Sequence, residues 1–295
     1  MLEFKPLVLD DIPLIKQYLK YTKSRACDNT VGGTFMWRDY FVSEYAFLCG
    51  NLVFKMQNPD ESVAFSMPLG ENLACSFERI KSYCGRRDIP IEFCLATKED
   101  VEVYNKYFDI DIIPTPNWND YVYDSNALAT FAGRAYNGQR NHTNAFLREN
   151  PDWEYRIVNA DNIADVRKFY YDADIFHAKD AELYVEEQKK VVEVLDNFDL
   201  YGMIGGAIYV NGKVIAFALG EIMGDTLHTH IEKADKSIRG SYQMIVREFN
   251  AANLKYGIKH TNRQDDAGDE GLRKSKLSYH PCEIIEKFTV KVKKD

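Results

Sequence analysis

The chain has 295 residues, 45% of them hydrophobic, and a formal net charge of −8. That length accommodates two domains, and the excess of acid excludes attraction of nucleic acid or anionic lipid over the whole surface, leaving only local basic patches for such a role. No run approaches the ~18 apolar residues of a membrane span. The N-terminus shows no basic stretch followed by an apolar one. The sequence therefore reads as cytoplasmic, with no integral membrane association. The six cysteines (Cys27, Cys49, Cys75, Cys84, Cys94 and Cys282) form no C-x-x-C pair, so no metal site is expected and all six read as reduced thiols.

Residues 2–8 alternate as a strand does, and Asp10-Asp11 stands where a helix cap belongs, with Pro13 in the tolerant first turn. Ile12, Ile15, Tyr18 and Leu19 supply the apolar face. The same unit begins again just past the middle of the chain. Glu3 matches Glu154, Phe4 matches Tyr155, Lys5 matches Arg156, Asp10 matches Asp161 and Ile12 matches Ile163. The repeat implies a duplicated architecture, with domains at 1–150 and 151–295. Residues 47–57 read as a hairpin turning at Gly50-Asn51, followed by a strand at 62–67, a helix at 72–84 and a strand at 91–95. The aromatic, glycine-hinged stretch 30–40 reads as a lid or as core packing, with core packing favoured.

Residues 121–150 hold a helix capped by Asp124 or Ser125 and ending at Gly133, then a loop and a second helix. Arg134, Arg140, His142 and Arg148 concentrate here, which makes this an anion-facing link or a solvated linker. Further on come a helix at 181–197, a hairpin turning at Asn211-Gly212 and a strand from Thr226 that carries His228 and His230. A loop with Lys236, Arg239 and Gly240 then opens a helix at Ser241. A strand, a glycine loop and a helix start can cradle an anion, because the first backbone N–H groups point outward. A strand follows at 258–261 and a closing strand at 284–292. Between them lies 262–281, NRQDDAGDEGLRKSKLSYHP, with four acids and four bases around two glycines. This element order matches the GNAT (Gcn5-related N-acyltransferase) topology.

The stretch 262–281, together with GRAYNGQRNHTNAF at 133–146 and IEKADKSIRGSYQ at 231–243, closely resembles the phosphatidylglycerol lysyltransferase C-terminal domain family. The resemblance covers nearly the whole chain. It implies an α+β fold of two tandem GNAT-like domains, each a mixed, mostly antiparallel sheet flanked by helices. It also implies acyl or aminoacyl transfer, since family members of known activity move an aminoacyl group from charged tRNA to the glycerol of a lipid. Gln139 and Ala145 depart from the basic residues expected in the linking motif, and the loop at 236–241 has less glycine than an acyl-CoA turn.

Such transfer needs a held donor, an oxyanion donor group and a base or acid of suitable pKa. Arg263, Arg273 and Lys274 could grip a phosphate or carboxylate, with Arg134, Arg140, Lys233 and Asn262 contributing to substrate binding. Arg239, Gly240 and Ser241 would hold a donor's phosphates. Asp265 could hold or deprotonate an incoming amine, and Tyr279 could protonate the leaving group. The bland alternative is mutual pairing of Arg263 with Asp265 and of Arg273 with Asp269. The function expected is transfer of an acyl or aminoacyl group from aminoacyl-tRNA or acyl-CoA to an amine or hydroxyl. The alternatives are an acyl-CoA N-acetyltransferase, which CoA would stabilise, and a non-catalytic protein binding a small anion or peptide, which neither donor would stabilise.

Overall fold

The structure is a computed structural model that describes residues 2–57, 62–172 and 182–294. The start of the helix expected from residue 181 lies outside the described residues. Among the described residues the strands form two seven-stranded sheets. In chain order they are Lys5–Pro6 (β1), Glu44–Leu48 (β2), Asn51–Gln57 (β3), Val63–Phe65 (β4), Glu92–Ala96 (β5), Ile110–Pro114 (β6) and Asp120–Asp124 (β7). There follow Glu154–Ile157 (β8), Ile204–Val210 (β9), Lys213–Met223 (β10), Thr226–Ala234 (β11), His260–Asn262 (β12), Glu283–Ile285 (β13) and Phe288–Val292 (β14).

The two sheets repeat one plan. β1 to β4 pair antiparallel in sequence and β4 pairs parallel with β5. Likewise β8 to β11 pair antiparallel and β11 pairs parallel with β12. Each sheet is then completed by a strand from the other half of the chain. β14 enters the first sheet between β5 and β6, antiparallel to both. β7 takes the matching place beside β12 in the second, with β13 outside it.

Local chemistry explains the hairpins. Cys49 and Gly50, one residue earlier than the expected Gly50-Asn51, both have positive φ at the β2–β3 turn, and Asn211 and Gly212 do so at the β9–β10 turn. That geometry suits the twist of antiparallel strands and favours glycine and asparagine. The repeated strand–helix unit is present as β1 with the helix Ile12–Leu19 and as β8 with the helix Ile163–Asp172. Asp11 does not cap its helix; its carboxylate accepts from Val8 N–H and from the Tyr45 hydroxyl instead. Val31, Phe35 and Met36 are buried, so the 30–40 stretch is core packing.

The chain forms two compact units. The first runs to Asp120 and adds Asp265–Gly268 and the residues from Ile285; the second holds Tyr121–Gln264 and Asp269–Ile284. The helix Asn137–Glu149, placed with the first half by the sequence reading, groups with the second unit. Phe65, Phe77, Ile80, Phe93, Tyr104 and Val290 build the core of the first unit, so β14 contributes directly to it. Ile208, Ala218, Leu227, Met244, Ile245 and Phe249 build the core of the second.

Three expectations are corrected. The single closing strand at 284–292 is two strands, β13 and β14, in different sheets. β6, β7 and the helix Lys98–Tyr104 were not anticipated. Cys49 and Cys75 are joined as a disulfide, with Cα atoms 6.1 Å apart, because the β2–β3 turn meets the first turn of the helix Leu73–Gly85. A chain ending at Ile284 lacks β14 and with it Val290. It is expected to lose protease protection across residues 2–120, read by mass spectrometry of the digest; full protection there would contradict the placement of β14.

Candidate functional site

β11 and β12 pair only over Thr226–His228 against His260–Asn262. Beyond that, the chain leaving β12 bonds to β7. Arg263 N–H donates to Tyr121 O at 3.0 Å and Tyr121 N–H donates to Gln264 O at 3.1 Å. β11 meanwhile continues along β10 to Ala234. The two strands therefore part, and an ion pair bridges the gap. Arg263 Nε lies 3.1 Å from Glu232 Oε1 and Nη2 lies 2.5 Å from Glu232 Oε2. The Arg263 side chain is only 9% exposed. Its guanidinium carbon sits 4.6 Å from the Tyr279 ring centre and 5.6 Å from that of Tyr123. Burial alone would lower the Arg263 pKa, but Glu232 outweighs it and keeps the guanidinium charged. Among the described residues Arg263 Nη1 is buried and has no hydrogen-bond acceptor.

A β-bulge lies beside this wedge. Leu219 pairs with Ile231 and Gly220 with Thr229, which leaves His230 as the extra residue. A Cβ on Gly220 would lie 2.3 Å from His228 O, so this close approach requires glycine. His230 Nε2 meets Glu221 Oε1 at 2.9 Å and Nδ1 meets Gln264 Nε2 at 2.7 Å. An amide nitrogen only donates, so Nδ1 accepts and Nε2 carries the proton. Gln264 itself has φ 61°, and its N–H is held by Asn262 Oδ1 at 2.7 Å. His228 stacks near-parallel to His230 at 6.5 Å.

The residues singled out by sequence fall into distinct settings. Tyr279 is 3% exposed, and burial pushes its hydroxyl up to about 12. Asn262 is fully buried. Lys233 pairs with Glu187 at 2.6 Å. Arg273 is half-buried and Lys274 exposed, while Lys276, not singled out, faces inward and donates from Nζ to Arg263 O. Tyr123 OH in turn donates to Lys276 O at 2.9 Å. Arg134 is exposed. Arg140 donates to the Phe131 and Gly133 carbonyls and to Asn137 Oδ1, so it closes the turn after the helix Ser125–Thr130. That helix ends at Phe131, at φ 48°, and not at Gly133. Gln139 donates to Ser278 O at 2.6 Å and Ala145 is buried, which explains why neither position is basic.

The loop before the helix Ser241–Asn253 is largely committed to itself. Ser241 N–H donates to Ile238 O at 3.2 Å and its hydroxyl to Asp235 O at 2.7 Å. Gly240 has φ 83°, and a Cβ there would lie 2.3 Å from His142 O. Arg239 is exposed. Asp265 belongs to the first unit, where its carboxylate accepts from Ala267 N–H at 2.9 Å.

The first unit contains a buried constellation that no motif or spacing marks. Lys287 Nζ lies 2.7 Å from Asp120 Oδ1, 2.5 Å from Asp28 Oδ2 and 3.7 Å from Cys27 Sγ. Asp120 also accepts from Cys27 N–H at 2.7 Å. Cys27, Asp28 and Asp120 are close enough together to ligate a metal, but the Lys287 ammonium is the cation among them. Burial alone would lower the Lys287 pKa; Asp120 and Asp28 raise it well above the usual value. Burial also raises the Cys27 thiol, which makes it a poor nucleophile.

The profile of the family described as "Phosphatidylglycerol lysyltransferase, C-terminal" matches residues 19–291. A conserved protein of unknown function from Bacteroides thetaiotaomicron has a crystal structure with a TM-score of 0.91 and 29% identity, covering 99% of this chain and 100% of that one. The structure of L-PGS from Bacillus licheniformis gives a TM-score of 0.68 at 13% identity, covering 99% of this chain and 93% of that one. The uncharacterized protein MYCGA3080 of Mycoplasmoides gallisepticum is 27% identical over 195 residues, 65% of this chain. The match spans 62% of that relative's own length. The chain holds two seven-stranded, mixed and mostly antiparallel sheets, and its fold is shared over nearly its whole length with both solved structures.

Replacing Lys287 by Met strands the Asp120 carboxylate in the interior and is expected to cost about 3–5 kcal/mol, measured by urea unfolding; a cost under about 1 kcal/mol would show the pair to be dispensable. Asp28 offers a pH test. Burial raises its carboxyl to about 6 against the pull of Lys287. The folded chain therefore prefers the protonated form, whose contribution is complete below about pH 4 and is lost as pH rises through about 6. Asp28→Asn stays neutral throughout. Its melting temperature relative to wild type is expected to rise between pH 5 and pH 8; an unchanged difference would refute the shift.

Proposed function

The chain belongs to the phosphatidylglycerol lysyltransferase C-terminal family, and on that premise we propose that it transfers an acyl or aminoacyl group to an amine or hydroxyl acceptor. The observation that carries this reading is the wedge between β11 and β12, with the Arg263–Glu232 pair and Tyr279 inside it. Parted strands expose backbone along which a donor can lie extended, as a peptide adds to a sheet edge. Tyr279 carries its proton at neutral pH, and burial, which raises its hydroxyl to about 12, holds that proton more tightly still. Its hydroxyl can give that proton to a leaving alkoxide, a base stronger than a thiolate, as the bond to the acyl carbon breaks. This mechanism rests on the second unit alone.

The donor classes are aminoacyl-tRNA and acyl-CoA. The loop at 236–241 spends the Ser241 N–H and hydroxyl on its own carbonyls. It therefore offers a CoA pyrophosphate fewer donors than a glycine-rich turn would, and aminoacyl-tRNA ranks first. No helix among the described residues is long and apolar enough to cross a membrane.

The test presents bulk aminoacyl-tRNA and acetyl-CoA separately to the protein, with hydroxylamine as a surrogate acceptor. One donor class is expected to raise the melting temperature and to be discharged. Tyr279→Phe should slow that discharge by about 10²-fold or more. If neither donor stabilises the protein or is discharged, the transferase reading fails.

A further inference from the structure

We propose that Arg263 Nη1 is a binding site for a single uncharged carbonyl oxygen, and that in the transferase reading, on which this rests, the oxygen is the donor's acyl carbonyl. A guanidinium has five N–H donors. Two of its nitrogens, Nε and Nη2, are taken by the two oxygens of Glu232. Nη1 is shielded from solvent and has no acceptor among the described residues. A buried donor left unfilled costs roughly 1–3 kcal/mol, and folded proteins seldom keep one without a reason.

The side chain cannot turn to relieve it. Its fork is locked on Glu232, and its faces meet Tyr279 at 4.6 Å and Tyr123 at 5.6 Å. Its backbone is held at both ends, by Tyr121 O on the N–H and by Lys276 Nζ on the carbonyl. The direction of Nη1 is therefore set before any ligand arrives, as electrostatic preorganisation requires.

Charge decides the ligand class. Glu232 cancels the charge of Arg263, so the pair is neutral as a unit. A carboxylate or phosphate would bring a full negative charge beside Glu232, and it would find the fork already occupied. A carbonyl oxygen brings no charge and needs one nitrogen. During transfer the acceptor's nitrogen or oxygen attacks the carbonyl carbon, and the C=O electron pair moves onto that oxygen. The Nη1 N–H bond to it strengthens at that moment. The pair then returns, the bond to the donor's oxygen or sulfur breaks, and the leaving group takes up a proton as the acceptor loses one.

The test reads the guanidinium directly, by ¹H–¹⁵N NMR of the full chain. The probes are alaninamide and S-acetyl-N-acetylcysteamine, which carry the acyl carbonyl. Acetate and inorganic phosphate serve as anion controls. Saturable shifts of the Arg263 side-chain signals are expected with one carbonyl probe and not with the anions. Glu232→Gln leaves the Arg263 charge uncompensated and should reverse that preference. Arg263→Lys keeps the charge but loses the fixed Nη1; with the donor that wild type discharges, it should lower the rate by ~10²–10³-fold, a larger loss than its loss of donor affinity. Arg263 signals that ignore both carbonyl probes, as a trapped water would leave them, overturn the proposal. So do signals that answer phosphate as strongly as a carbonyl. If a carbonyl probe binds while no donor is discharged, the site stands and the transferase reading fails.

Discussion

The pair formed by Asp120 and Lys287, 2.7 Å apart and both fully shielded, is the contact on which the strand arrangement turns. Asp120 opens β7 and Lys287 immediately precedes β14, the two strands that complete sheets begun by the other half of the chain. The same carboxylate accepts the Cys27 N–H, so one buried acid gathers segments from the beginning, middle and end of the sequence. Such a pair adds little net stability over an apolar substitute, yet is costly to break from one side.

The wedge between β11 and β12 follows from that exchange. Because β7 lies beside β12, the backbone after Asn262 bonds to Tyr121 and not to β11. β11 and β12 part after a three-residue pairing, and Arg263 reaches across to Glu232. The bulge at His230, clamped between Glu221 and Gln264, holds the left-handed kink at Gln264 that carries the chain out of the wedge.

The charged stretch 262–281 does not act as one loop. Its residues divide between the two units. Asp269 caps the helix Glu270–Leu277 through Leu272 N–H, Lys276 turns inward and Lys274 stays in solvent. Arg263 is buried against an acid 31 positions earlier in the chain, so it is neither a solvent-facing grip for an anion nor the partner of Asp265 that pairing within the stretch would have made it.

Much of this was legible in the residues. The strand–helix unit at Glu3 and again at Glu154, the turns at Gly50 and Asn211-Gly212, and the helix starting at Ser241 follow from short-range rules of alternation, turn conformation and capping, which any local stretch carries within itself. The three signature motifs likewise identified the family, and Arg263 and Tyr279 as candidates, before any geometry. The destinations of β7 and β14, the disulfide, the partner of Arg263 and the Lys287 constellation were decided only by tertiary structure. Lys287 and Asp120 are 167 positions apart, and no local pattern encodes which strand lies beside which, or which buried charge meets its opposite, until the sheets have formed.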